Sequence, residues 1–148
     1  MKVFLDLEAT IIHSWSNPTL CNLQKVRNFL KTHDAKQVSI FSFAIWDEKD
    51  KMYFEQNFKK FLEEALAVEI IEWPSVDEMR QEILWKQGTA FERTEFINVW
   101  GKSRAFFDFC RVTQDEDCVL LDDVVDDEIV TNLRTNRIFG TVNVTRLK

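Results

Sequence analysis

Two pairs of acids stand where chemistry would need them. Asp6 and Glu8 occupy alternate positions after the apolar run Val3-Phe4-Leu5, with Thr10 following, in "KVFLDLEATII". Asp122 and Asp123 close another apolar run, Val119-Leu120-Leu121, and Asp126 and Asp127 come soon after in "LLDDVVDD". Like charges brought together raise one another's pKa unless a cation compensates. An all-oxygen ligand set suits a hard divalent ion, which makes Mg²⁺ the expected metal. One acid at a strand terminus needs no purpose beyond solvation. Two separate apolar strands that both end in acids point to a shared site. Asp126 and Asp127 also have a plain structural role open to them, at a helix N-terminus where the dipole favours negative charge.

The elements that must position these acids follow from periodicity. "KVFLDL" (2–7), "QVSIFSFAIW" (37–46), "VEIIEW" (68–73), "DCVLLDD" (117–123) and "RIFGTVNV" (137–144) are short apolar or β-branched runs and are expected as strands. Helical spacing of apolar residues is expected over 19–33, 54–68, 101–113 and 126–136. Ser75 with Glu78 three residues later is a capping box, starting a further helix that runs to about Trp85. Strands alternating with helices imply crossovers, hence a three-layer, Rossmann-like α/β fold: a parallel sheet with helices on both faces. In such sheets ligands sit at the carboxyl ends of the strands, near a topological switch point. Asp6, Glu8, Ser42, Asp122 and Asp123 all fall there.

The bulk properties narrow the function classes. The chain has 148 residues, suited to one domain over 1–148, and its 45% apolar and 30% charged residues are those of a globular protein. A net charge of −6 disfavours broad binding to nucleic-acid backbones. Cys21, Cys110 and Cys118 form no CxxC or zinc spacing and are expected as reduced thiols. No run approaches the roughly 18 apolar residues of a membrane span. No signal peptide is read ahead of the first strand, so a cytoplasmic location is expected.

Ser42 and Lys102 complete a pattern. Singly, each has an ordinary explanation, as a strand-end polar residue and a solvated lysine. In order, Asp6-Leu7-Glu8-Ala9-Thr10, Ser42, Lys102 and Asp122-Asp123 with Asp127 four further on resemble the four motifs of the haloacid dehalogenase-like (HAD) superfamily. These are DxDx[TV], a Ser or Thr after a strand, a Lys, and an acid set such as DDxxxD. The resemblance spans residues 2 to about 144. It implies a HAD-like fold and an Mg²⁺-dependent phosphatase working through an aspartyl-phosphate on Asp6. Mg²⁺ would be held by Asp6, the backbone carbonyl of Glu8 and Asp123, with Asp122 and Asp127 in the same acid set. Ser42 and Lys102 would bind the phosphoryl group, and Thr10 would fix the local backbone. Glu8 stands where most family phosphatases carry Asp as general acid and base. The enolase-phosphatase branch, with D-[IV]-E-G-T, is similar in carrying Glu there. Ala9 replaces the usual Gly or Asn.

Helices and strands consume most of the residues between Thr10 and Lys102, so no large cap is expected. An open site would admit a small molecule, a nucleotide or a macromolecular end, or be closed by a homo-oligomer. His13, Trp15 and Trp46 fall near the strand ends and could line its entrance. Other classes remain. A scaffold of this kind could serve as a binding or regulatory protein with weak or no catalysis. "FLDLEAT" also resembles the first motif of DEDD-type 3′–5′ exonucleases, which need a His or Tyr shortly before a late Asp. Here His13 and His33 come early and the one Tyr is Tyr53. A response-regulator receiver places its acid pair early, against the late Asp122-Asp123.

Overall fold

The computed structural model describes residues 1–87, 101–124, 129–131 and 138–144. In chain order the elements are β1 (Lys2–Leu5), α1 (Leu23–Thr32), β2 (Gln37–Ile40), α2 (Glu48–Phe54), a π-helical turn (Glu55–Lys59) leading into α3 (Lys60–Leu66), and β3 (Glu69–Glu72). Then come α4 (Val76–Gln87), α5 (Lys102–Thr113), β4 (Cys118–Asp122), β5 (Ile129–Thr131) and β6 (Ile138–Asn143). The sheet order is β3-β2-β1-β4-β6-β5. Among the described residues every strand pairing is parallel except that of β5, which runs antiparallel to β6 at the edge.

Strands buried on both faces need apolar side chains at successive positions, and β4 is buried at all five. Alternation then divides the core in two. Val3, Leu5, Val38, Ile40, Val119 and Leu121 pack with Val26 and Leu30 of α1 and with Phe54, Phe58, Leu62 and Leu66. Phe4, Cys118 and Leu120 meet Val76, Met79 and Ile83 of α4 and Ala105, Phe106, Phe109 and Cys110 of α5. Helices therefore cover both faces of the sheet, as the strand–helix alternation implied. The second layer is held by edge-to-face aromatic contacts, with Phe4 and Phe41 each 5.3 Å from Phe106.

Three expectations about elements are corrected. β2 ends at Ile40, six residues short of the expected end, so Ser42 lies beyond the strand. The helix expected from residue 54 begins at Glu48, because Asp47 caps it by accepting from the Asp50 N–H at 3.1 Å. The Asp50 carboxylate in turn accepts from the N–H of Trp46, the residue before the cap, at 3.0 Å. The helix expected over 126–136 is overturned where it is described: Ile129–Thr131 is a strand, with Ile129 opposite Gly140 and Thr131 opposite Ile138. Three β-branched residues in a row suit a pleated edge better than a helix. The Ser75–Glu78 capping box is present: the Glu78 N–H donates to Ser75 Oγ, and the Ser75 N–H to Glu78 Oε1, both at 3.1 Å.

The chain runs from β1 outward to β2 and β3, then crosses back to β4 on the other side of β1. The topological switch point is therefore between the carboxyl ends of β1 and β4. Among the described residues no helix is long and apolar enough to cross a membrane.

Candidate functional site

β1 delivers Asp6 to the switch point. Its N–H still donates to Leu121 O of β4 at 3.0 Å, while its buried side chain sits at the sheet's end. The chain then turns sharply: the N–H groups of Thr10, Ile11 and Ile12 all donate to Leu7 O, at 3.0–3.2 Å. The turn requires a left-handed residue, which is Ala9 at φ 60°. A Cβ makes this conformation costly, by about 1–2 kcal/mol. Asn22, itself left-handed at the start of α1, holds the turn by donating from Nδ2 to Thr10 O (3.1 Å) and Ala9 O (3.3 Å). The reward is the placement of Thr10. Its hydroxyl lies 2.9 Å from Asp6 Oδ2 and 3.3 Å from Asp123 Oδ1, one proton shared between two carboxylates.

β4 delivers Asp122, buried, and Asp123, half-buried. Asp122 Oδ1 accepts from the Val124 N–H at 3.2 Å, which fixes the carboxylate plane. α5 delivers Lys102 as its first residue, after Gly101 at φ 83°, a backbone conformation that side chains rarely adopt. A lysine at a helix start runs against the dipole. Here the opposition is outweighed by direct pairing: Lys102 Nζ lies 2.9 Å from Asp6 Oδ1 and 3.4 Å from Asp122 Oδ2. The rings of Phe43 and Phe41 lie beneath the ammonium, with centroids at 4.7 and 5.7 Å.

The charges are unbalanced. Burial pushes the Asp6 carboxyl up, helped by the Asp122 charge and opposed by Lys102 and Thr10, and the net direction is up. Burial likewise raises Asp122, with Asp123 adding to it and Lys102 opposing. For Lys102 burial pulls the other way, but the attraction of Asp6 and Asp122 prevails and the ammonium is favoured. One carboxylate oxygen from each of Asp6, Asp122 and Asp123 lies within 4.8 Å of the others. Among the described residues, three carboxylates against one ammonium leave an oxygen-only site with excess negative charge. That donor chemistry fits a hard divalent cation such as Mg²⁺.

No protein-family model, curated protein or solved structure matches this chain.

The residues singled out in the sequence fall into two groups by position. Asp6, Thr10, Lys102, Asp122 and Asp123 come together. Ser42 is buried near the end of β2, one residue past Phe41, whose N–H pairs with Leu5 O of β1. Its hydroxyl accepts locally from the Ala44 N–H at 3.1 Å, and it makes no hydrogen bond to Asp6. Glu8 is exposed, and its carboxylate is not in the cluster: Oε2 accepts from the Trp15 N–H at 2.9 Å. Asp127 lies outside the described residues. His13 is exposed, Trp46 is 37% exposed, and the Trp15 ring is half-buried on Phe58 and Tyr53. Asn22 and Phe43 were not singled out in the sequence. Asn22 carried a signal, since Asn tolerates the left-handed region before a helix. Phe43 carried none beyond its place beside Ser42.

Proposed function

We propose that the protein is a HAD-like phosphatase, a Mg²⁺-dependent phosphomonoester hydrolase with Asp6 as nucleophile. The observation that carries this proposal is the environment of the Asp6 carboxylate. It is buried at the switch point, with one oxygen on Lys102 and the other on Thr10, and with two further carboxylates alongside.

Lys102 and Thr10 hold the Asp6 carboxylate in one orientation, so little freedom remains to be lost on the way to the transition state. An Asp6 oxygen attacks the substrate phosphorus, and the bond from phosphorus to the leaving oxygen breaks with its electron pair. The departing oxygen takes up a proton from solvent, and the water that attacks in the next step gives one back. Water then attacks the aspartyl-phosphate at phosphorus, releasing inorganic phosphate and restoring the Asp6 carboxylate. Lys102, kept as an ammonium by its two carboxylate partners, turns from Asp6 toward the phosphoryl oxygens as negative charge develops there. Asp6, Asp122 and Asp123 would hold the divalent cation, whose charge offsets that of the phosphoryl group. Ser42, one residue past Phe41, whose N–H pairs with Leu5 O, would offer its hydroxyl to a bound phosphoryl group.

The test is hydrolysis of p-nitrophenyl phosphate with and without Mg²⁺, wild type against Asp6→Asn. Turnover that requires Mg²⁺ and disappears in Asp6→Asn is expected. Turnover that survives the substitution overturns the nucleophile. Release of nucleotides from 3′-labelled single-stranded DNA, without phosphatase activity, would favour a nuclease instead.

A further inference from the structure

Glu8 makes a contact that the hydrolysis scheme does not use. After the Asp6 turn the chain forms a small hairpin, in which Ile12 bridges Leu20 and the His13 N–H donates to Thr19 O at 2.8 Å. Its tip is closed by Ser14 and Asn17, whose N–H groups donate to each other's carbonyls at 3.0 and 3.2 Å. Trp15 sits in that tip. Its ring packs on Tyr53 and Phe58, with centroids at 5.3 and 4.9 Å, and its N–H points back to Glu8 Oε2 at 2.9 Å. The hairpin is thus tied at two points, by its indole to the α2 side and by its backbone to Glu8.

Building on the phosphatase proposal, we propose that Glu8 is a positioning residue: its carboxylate anchors the 12–20 hairpin beside the nucleophile through the Trp15 amide, and it does not serve as the proton donor. Three observations converge on this. The carboxylate is exposed and engaged by a backbone donor. Both Asp6 oxygens are held by other residues, Lys102 and Thr10. Among the described residues the acids clustered with Asp6 are Asp122 and Asp123, without Glu8. The length of the side chain also fits. Aspartate at position 8 would fall short of the Trp15 N–H by about one bond length. Glutamine keeps an acceptor oxygen at the same reach but has no ionisable proton to transfer.

The experiment uses the full chain and the variants Glu8→Gln, Glu8→Asp and Glu8→Ala, with two readouts. Amide exchange at Trp15, measured by NMR, should match wild type in Glu8→Gln and speed up about tenfold in Glu8→Ala and Glu8→Asp. Kinetics on aryl and alkyl phosphates of graded leaving-group acidity should show Glu8→Gln within about twofold of wild type, with the same leaving-group dependence. Glu8→Ala and Glu8→Asp should raise KM several-fold and leave that dependence unchanged. Unaltered Trp15 exchange in Glu8→Ala overturns the anchor. A loss in Glu8→Gln that grows as the leaving group becomes poorer identifies Glu8 as the proton donor and overturns the positioning role. Absence of turnover on every phosphate in wild type would count against the phosphatase instead, and Trp15 exchange would still decide the anchor.

Discussion

Lys102 Nζ lies 2.9 Å from Asp6 Oδ1, joining the first residue of α5 to the residue after β1 across 96 positions of sequence. The ammonium also reaches Asp122, so one cation serves both strands that flank the switch point. Both partners are largely buried, with side-chain exposures of 18% for Lys102 and 9% for Asp6. Breaking such a pair leaves an uncompensated buried charge, which costs far more than the intact pair contributes.

Lys102→Met should therefore do two separable things. Stability in Mg²⁺-free buffer should fall by about 3 kcal/mol, read from urea unfolding. Turnover of p-nitrophenyl phosphate should fall at least about a hundredfold, since a fixed positive charge at the phosphoryl group is lost. Added Mg²⁺ should raise the melting temperature more in the variant than in wild type, because the cation would then compensate carboxylates that Lys102 no longer meets. Equal shifts in both proteins would remove the cation from the Asp6, Asp122 and Asp123 cluster.

Two backbone positions make opposite predictions. Ala9 takes the left-handed conformation with a Cβ, so Ala9→Gly relieves strain while adding freedom to the unfolded chain. The expected net change is a gain of between 0 and about 1 kcal/mol. Gly101 at φ 83° and ψ 164° occupies a region close to glycine-only, and a Cβ there would meet nothing within 4 Å. Gly101→Ala should cost about 1–3 kcal/mol through backbone strain alone. Thermal or urea unfolding of both variants checks the signs.

The capping box at the start of α4 predicts a pH dependence. Burial raises the Glu78 carboxyl, but the hydrogen bonds from Lys51 and Ser75 outweigh it and the net direction is down. A folded-state pKa below the unfolded value contributes stability that is present above the unfolded pKa and lost as pH falls through the folded one. Glu78→Gln should therefore be less stable than wild type at neutral pH and converge with it on acidification below 4.5, the ordinary value for Glu. The side chain is 46% exposed, so solvent screening limits the difference to a few tenths of a kcal/mol. Ser75→Ala removes the reciprocal cap and should cost about 1 kcal/mol at pH 7. Urea unfolding at pH 7 and pH 4 tests both.

Local chemistry was legible in the sequence. An apolar run ending in acids marked the ends of β1 and β4, because a strand buried on both faces favours apolar residues along its length and leaves its acids to the carboxyl end. Ser75 and Glu78 marked the start of α4 because both cap bonds close within one turn. Asp47 and Asp50 offered a similar local signal for the start of α2, one that the longer apolar periodicity after residue 54 obscured.

Partners distant in sequence were decided by the tertiary structure. Ile129-Val130-Thr131 lies in a stretch with helical spacing and becomes a strand because β6 presents an unpaired edge to it. Periodicity cannot report such an edge. Ser42 lay on an expected strand, yet the strand ends two residues before it and its hydroxyl turns to Ala44. Lys102 was one lysine among nineteen basic residues until the fold set it on Asp6. The sequence by itself determined which residue types could build an acid site and on which strands they would stand. Which side chains meet, including the turn of Glu8 to Trp15 in place of Asp6, was decided by hydrogen bonds that exist only once the sheet has brought its strand ends together.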